Sequence, residues 1–262
     1  MSRSLSRART ARKTLSQNFL VDARAAAAIV RESGCGPDDL VLEAGPGDGM
    51  LTRHLLAAGS RVLAYEKDPR YAGRLRRRYV DDDRIHVYHK DFRVVHPPRQ
   101  PFAVVANIPF AITTDIVRWC LAADRLTAAA LLTQREFARK HSGDYGRWSK
   151  LTVTQWPWLS MTLGSTVART SFHPVPRVDA AVLHLRRRRA PLLPRSAAAE
   201  YHRLVDIGFS GVGGSVAASL CRHHPAGTVR RACAAAGVAA DLPVGYLPPD
   251  SWVALFGALS RR

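Results

Sequence analysis

Acidic residues are scarce in this chain. Its 262 residues hold 21 Asp and Glu against 39 Lys and Arg, a formal charge of +18 with a pI near 10.9. Lysine is scarcer still, at five of the 39. Such a deficit of negative charge disfavours a cationic partner and points to a polyanion, most simply nucleic acid. GC-rich codon usage explains why arginine replaces lysine and why alanine is abundant, but not why acids are outnumbered nearly two to one. Long apolar runs are missing too. The stretch 25–30 is bracketed by Arg24 and Arg31, far short of the roughly 20 residues that span a bilayer. Residues 1–13 carry Arg3, Arg7, Arg9, Arg12 and Lys13 and no acid, but no apolar segment follows them as in a secretory signal. The expectation is a soluble cytoplasmic protein with no membrane partner. The four cysteines, Cys35, Cys120, Cys221 and Cys233, form no C-x-x-C pair and have no histidine at ligand spacing, so free thiols and no metal are expected.

At 47% hydrophobic and 23% charged residues the chain is globular, with length for one large domain or a large one plus a small one. Its first 180 residues alternate strand and helix signals. Asp22 caps an alanine-rich helix that Gly34 ends. An apolar run at 40–44 leads through a glycine-rich turn into a helix at 50–58, closed by Gly59. Further strands are expected at 61–65, 85–88, 102–106, 126–133 and 180–185. Asp68-Pro69 opens one intervening helix, which runs to about Tyr79, and another covers 112–122. This rhythm predicts an α/β fold with a mostly parallel, doubly wound sheet and ligand sites at the carboxyl ends of its strands. Arg186 to Arg189, followed by Pro191 and Pro194, reads as a linker. Beyond it the chain is alanine-rich and helical, so the segments are a basic arm at 1–13, an α/β domain at 14–190 and an all-α domain at 191–262.

Chemistry gathers at the strand ends. Glu43-Ala44-Gly45-Pro46-Gly47-Asp48-Gly49 follows the first apolar strand. Its G-x-G-x-G spacing is not the G-x-G-x-x-G of dinucleotide folds, and its acids would repel a pyrophosphate. They suit a cofactor ending in an ammonium and a sulfonium, namely S-adenosylmethionine. Glu66, 21 residues after Gly45, stands where a ribose would offer two hydroxyls. Asp91 can accept from an adenine amino group, with Phe92 packed nearby. Either acid alone reads equally as an ordinary exposed carboxylate. The fourth strand runs into Asn107-Ile108-Pro109-Phe110. Methylating an exocyclic amine requires both its N–H groups to be held so that the nitrogen lone pair points at the methyl. The Asn107 side-chain oxygen and the Ile108 carbonyl can accept those hydrogens, Pro109 stiffens the turn and Phe110 can stack on the base. In isolation, Asn-x-Pro is a common turn.

Together with Gln17-Asn18-Phe19-Leu20 and Phe172-His173-Pro174-Val175-Pro176-Arg177-Val178-Asp179, these motifs resemble the ribosomal RNA adenine-N6 methyltransferases over roughly residues 12–185. Ser16 to Leu20 and Asn107 to Phe110 are more similar to the Erm branch, which methylates one adenine of 23S rRNA and confers macrolide, lincosamide and streptogramin B resistance. The alternatives are the small-subunit 16S dimethyladenosine transferases and a non-catalytic nucleic-acid-binding relative. The resemblance implies a Rossmann-like class I methyltransferase domain followed by a small helical domain, S-adenosylmethionine as cofactor, and a monomer acting on protein-poor precursor 23S rRNA. It further implies that Gln17, Asn18 and Leu20 touch the cofactor and that Gly45 and Gly47 approach its methionine part. Glu66 would hold the ribose, and Asp91 and Phe92 the adenine. Asn107 would lie between cofactor and amine, with Phe110 and Phe172 on the two faces of the target base. Three segments carry the excess charge: 3–13 with five basic residues and no acid, 135–150 with five against two, and 169–189 with six against one. Arg9, Arg12, Lys13, Arg135, Arg139, Lys140 and Arg147 are the expected RNA contacts, whereas 43–91, with ten basic and eight acidic residues, is close to neutral.

Overall fold

A computed structural model describes residues 18–211 and 214–260. Gln17, Arg9, Arg12 and Lys13 lie outside the described residues. The described residues open with β1 (Phe19–Leu20) and α1 (Ala23–Ser33). The Asp22 carboxylate accepts from the Arg24 and Ala25 N–H groups at 2.9 and 3.1 Å, satisfying two donors that the first turn leaves orphaned. Ala26, Ile29 and Val30 bury one face, and Gly34 closes the helix in the left-handed region. There follow β2 (Leu40–Ala44), α2 (Met50–Ala57), β3 (Arg61–Glu66), α3 (Pro69–Arg78), β4 (Ile85–His89), β5 (Phe102–Asn107), α4 (Thr113–Ala122) and β6 (Leu126–Gln134). Short helices α5 (Arg135–Ser142) and α6 (Lys150–Gln155) precede β7 (Leu159–Val167), β8 (Phe172–His173) and β9 (Ala180–Arg187). The rest is helical: α7 (Ala198–Gly208), α8 (Val216–Leu220), α9 (Ala226–Ala235) and α10 (Pro249–Ser260).

Seven strands form one sheet in the order β4-β3-β2-β5-β6-β9-β7. The pairs β4-β3, β3-β2, β2-β5 and β5-β6 are parallel. The chain runs outward from β2 through β3 to β4, then restarts on the other side of β2 at β5. This reversal is the crevice where open α/β sheets bind ligands. Every residue of β2 is buried, as expected of a central strand covered on both faces. β1 and β8 make a separate antiparallel pair, Phe19 opposite His173 and Leu20 opposite Phe172.

The chain divides into two compact units, 1–138 with 163–185 and 139–162 with 186–262. This differs from a division near residue 190, and the reason is apolar. The C-terminal segment is rich in alanine, and Val153 and Trp158 from the earlier stretch complete its core with Tyr201, Leu204, Trp252 and Phe256. Polar links reinforce it: Trp158 Nε1 donates to the Leu193 carbonyl at 2.9 Å and the Tyr201 hydroxyl to the Val153 carbonyl at 3.0 Å. Among the described residues, no helix is long and apolar enough to cross a membrane.

Candidate functional site

Two cavities of about 270 and 230 Å³ lie at the carboxyl ends of β2, β3 and β5 and share Gly45 as a lining residue. The first is lined by Phe19, Leu20, Glu43, Met50, Arg53, Arg78 and Asn107, the second by Glu66, Lys67, Asp91, Phe92, Ile108 and Pro109. Glu66, Asp91, Asn107 and the glycine loop are thus gathered from four separate strand ends into one crevice.

The loop can turn because its glycines take positive φ, 68° at Gly45 and 56° at Gly47. A Cβ on Gly47 would come within 2.8 Å of the Phe19 ring, whereas a Cβ on Gly45 would meet nothing within 4 Å. The space over Gly45 is therefore open to a ligand lying against bare backbone. The Gly47 N–H donates to Glu66 Oε2 at 3.0 Å and the Asp68 N–H to Oε1 at 2.8 Å, so the Glu66 carboxylate, 1% exposed, is fixed from both sides. Burial nevertheless raises its pKa. Glu43, also 1% exposed, accepts from the Thr52 hydroxyl at 2.6 Å, and burial pushes its pKa up to about 8.

Asp91 is heavily committed. It accepts from the Arg93 backbone N–H at 3.0 Å, from Arg93 Nε at 3.1 Å and Nη2 at 2.7 Å, and from Lys67 Nζ at 3.2 Å. The Arg93 guanidinium holds its carboxyl well below the usual carboxylate range. Of these partners the Lys67 ammonium is the most exposed. Phe92 is buried, its ring 4.5 Å from Trp119 and 5.8 Å from Tyr65, which leaves it as wall rather than platform.

Asn107 lies at the end of β5 with its amide orientation determined by one contact: Nδ2 donates to the Asn18 carbonyl at 2.9 Å. That places Asn18 beside the crevice through its backbone, and among the described residues no donor reaches Asn107 Oδ1. The Ile108 N–H is tied to the Leu132 carbonyl at 3.1 Å, and Pro109 leads into a short 3₁₀ turn, Phe110–Ile112. Phe110 is partly buried against the core beside β5, with part of its surface free. Phe172 differs from its expected role. It is 2% exposed and belongs to the core behind β1, so it presents no open face to a base in this structure. Leu20, opposite it in the β1-β8 pair, both lines the first cavity and anchors that core.

Among the expected RNA contacts, Arg135 is exposed at the end of β6. Arg139 is paired with Asp144 and lies 3.9 Å over the Tyr145 ring, Lys140 is exposed, and Arg147 donates to the Tyr246 hydroxyl through Nε at 2.8 Å. Phe19, Lys67, Arg53 and Arg78 line the crevice without having been singled out from sequence. Phe19 sits inside a quoted motif. The other three carry no signal beyond their charge.

The family model for ribosomal RNA adenine dimethylases matches residues 8–261. An rRNA adenine N-6-methyltransferase of Saccharopolyspora erythraea is 45% identical over 96% of this chain, which spans 66% of that protein's length. The mycinamicin-resistance protein MyrB of Micromonospora griseorubida is 37% identical, with 94% of this chain and 78% of that protein covered. The crystal structure of the 23S rRNA methyltransferase ErmE matches with a TM-score of 0.89 at 45% identity, covering 93% of this chain and 100% of that one.

Proposed function

Because the chain belongs to the ribosomal RNA adenine dimethylase family, we propose that it transfers a methyl group from S-adenosylmethionine to N6 of one adenine in 23S rRNA, conferring macrolide, lincosamide and streptogramin B resistance. Its sheet and C-terminal helices are the class I methyltransferase fold of ErmE. The residues present fit the cofactor: open backbone at Gly45, a doubly fixed acceptor at Glu66 and a second buried carboxyl at Glu43. When bound, S-adenosylmethionine supplies an electrophilic methyl on a sulfonium.

The observation that carries the reading is the pinned Asn107 amide. With Nδ2 occupied by the Asn18 carbonyl, Oδ1 accepts one hydrogen of the target amine and the Ile108 carbonyl accepts the other. Held this way, the amine lone pair leaves the ring system and faces the methyl, and most of the acceleration comes from positioning. The proton becomes acidic once the nitrogen is alkylated, so no strong base is required. Unstacking the adenine costs roughly a few kcal/mol. Stacking on Phe110 returns about 1 to 3 kcal/mol of it, so an adenine in a loop or irregular segment is the suitable target. Phe110 acts here without Phe172, whose burial makes it a support for β1. Glu66 holds the ribose, Asp91 and Phe92 the adenine end, and Leu20, Gly45, Gly47 and Asn18 the remainder. We take the acting form as a cytoplasmic monomer and the substrate as protein-poor precursor 23S rRNA, where the target is not yet covered.

Purified protein, S-adenosylmethionine and 23S rRNA transcript should yield N6-methyladenine in mass spectra of the digested RNA, and expression should raise erythromycin tolerance. A mark on 16S rRNA instead selects the small-subunit reading, and no mark on either RNA rejects the assignment.

A further inference from the structure

Residues 43–91 are near neutral by count, but the structure separates their charges. Glu43, Glu66 and Asp68 are buried, and Asp82 and Asp91 are each clamped by an arginine two residues on. What remains outside is mostly basic: all ten Lys and Arg of this stretch are exposed, against the exposed acids Asp48, Asp81 and Asp83, and α3 organises four of the arginines. Arg70, Arg74, Arg77 and Arg78 recur at i, i+4, i+7 and i+8, one face of the helix, while Ala72 and Leu75 bury the other. All four are exposed. Arg70 is tied to the helix cap Asp68 at 2.6 Å, and Arg74 makes an ion pair with Asp48 whose side chains are both about half exposed. Such a pair is worth little and exchanges readily. Arg77 has no acid within ion-pair distance among the described residues.

The strip ends at the candidate site. Arg78 lines the first cavity and donates to the Asp48 carbonyl at 2.6 Å, Arg53 of α2 lines the same cavity, and Leu75 lies directly under Gly49. Four-residue steps of about 6 Å along the axis place successive guanidiniums at different groups of one extended polyanion. Each guanidinium matches a phosphate with two parallel N–H donors.

We infer that this face of α3 is a phosphate-binding strip that takes the RNA backbone adjoining the target adenine. The inference rests on the rRNA methyltransferase reading and adds a contact surface to it. The test is binding of full-length protein to a 23S rRNA transcript between about 50 and 200 mM salt, where affinity falls with a slope set by the number of phosphates neutralised. R74Q/R77Q should make the log-log slope shallower by about two and weaken binding on the order of tenfold near 100 mM, with unchanged cofactor affinity and unchanged melting temperature. R74K/R77K should restore the slope, because a phosphate accepts a point charge. A wild-type slope in R74Q/R77Q overturns the strip, as does poly-glutamate displacing the RNA as well as unlabelled transcript at equal charge. Failure of the wild-type protein to bind or methylate RNA strikes the functional reading instead, so the two failures are distinct.

Discussion

Glu43 and Glu66 belong to neighbouring parallel strands, each 1% exposed and each lining one of the two cavities that meet at Gly45, yet they are held in different ways. Two backbone N–H groups, from Gly47 and Asp68, grip the two oxygens of Glu66. Glu43 is held by one residue, Thr52, through its hydroxyl and its backbone N–H, and each glutamate feels a like charge, Glu43 that of Glu66 and Glu66 that of Asp68. Burial raises the pKa of both. At Glu66 the fixed backbone dipoles oppose it, so the carboxylate is a preorganised acceptor with a set direction. At Glu43 the two hydrogen bonds from Thr52 oppose it and the pKa still reaches about 8, so a cation placed in its cavity would shift its ionisation. Equal burial has produced a fixed group and a responsive one, and the difference lies in where the loop's N–H groups point.

The sharpest way to break this comparison is at Asn107, which the proposed function sets against the amine rather than either end of the cofactor. Asn107→Ala should lower single-turnover methyl transfer by roughly 10²- to 10³-fold, as for loss of one preorganised acceptor or donor. Cofactor affinity, read by calorimetry, should change far less. If affinity falls as much as transfer, Asn107 joins the glutamates as a holding residue. Glu66→Gln removes the charge that the Gly47 and Asp68 N–H groups use and that the proposed ribose contact requires, a loss of about 1.5 to 3 kcal/mol, so cofactor binding should weaken about 10- to 100-fold while the rate of bound complex stays near wild type. Gly47→Ala adds a Cβ at φ 56° against the Phe19 ring. It should cost about 1 to 3 kcal/mol of stability, read as a lowered melting temperature, and shift Phe19 in the first cavity more than Glu66 in the second.

How much of this could be read from sequence depends on how local the signal is. Glu66, Asp91 and the glycine loop announce themselves because each follows an apolar strand, and the parallel order then delivers them to one edge. Asp22 and Gly34 frame α1 as expected for a cap and a left-handed stop. Burial was not legible. Phe172 and Phe110 are the same residue type in equally suggestive motifs, and only pairing of β8 with β1 sends Phe172 into the core. The 139–162 stretch hid its partner for a similar reason: Val153 and Trp158 fill a core built mainly from residues beyond 186. β7 carries little sequence signal because Ser160, Thr162, Gly164, Ser165 and Thr166 dilute its apolar pattern. The near-neutral count over 43–91 concealed a basic surface, since a count cannot tell a buried acid from an exposed one.

The smallest expected effect tests the comparison most directly. With the crevice free, Glu43 is largely protonated at pH 7, because burial sets its pKa near 8. The groups facing it are Thr52 and Arg53 on α2, Glu66 on β3 and Tyr79 after α3, with Asp48, Arg78 and Asn107 around the same cavity. An ammonium or sulfonium placed there favours the ionised form, so binding expels a proton. Affinity should therefore rise with pH and level off above about 8, by roughly fivefold between pH 7 and 8 if the bound carboxyl is fully ionised, with about 0.9 proton released per cofactor at pH 7. Calorimetry in two buffers of different ionisation heat measures that proton. Glu43→Gln should abolish both the release and the slope while leaving binding measurable. If the slope survives in Glu43→Gln, the titrating group is Glu66 or the ligand itself, and the two glutamates are no longer one fixed and one responsive.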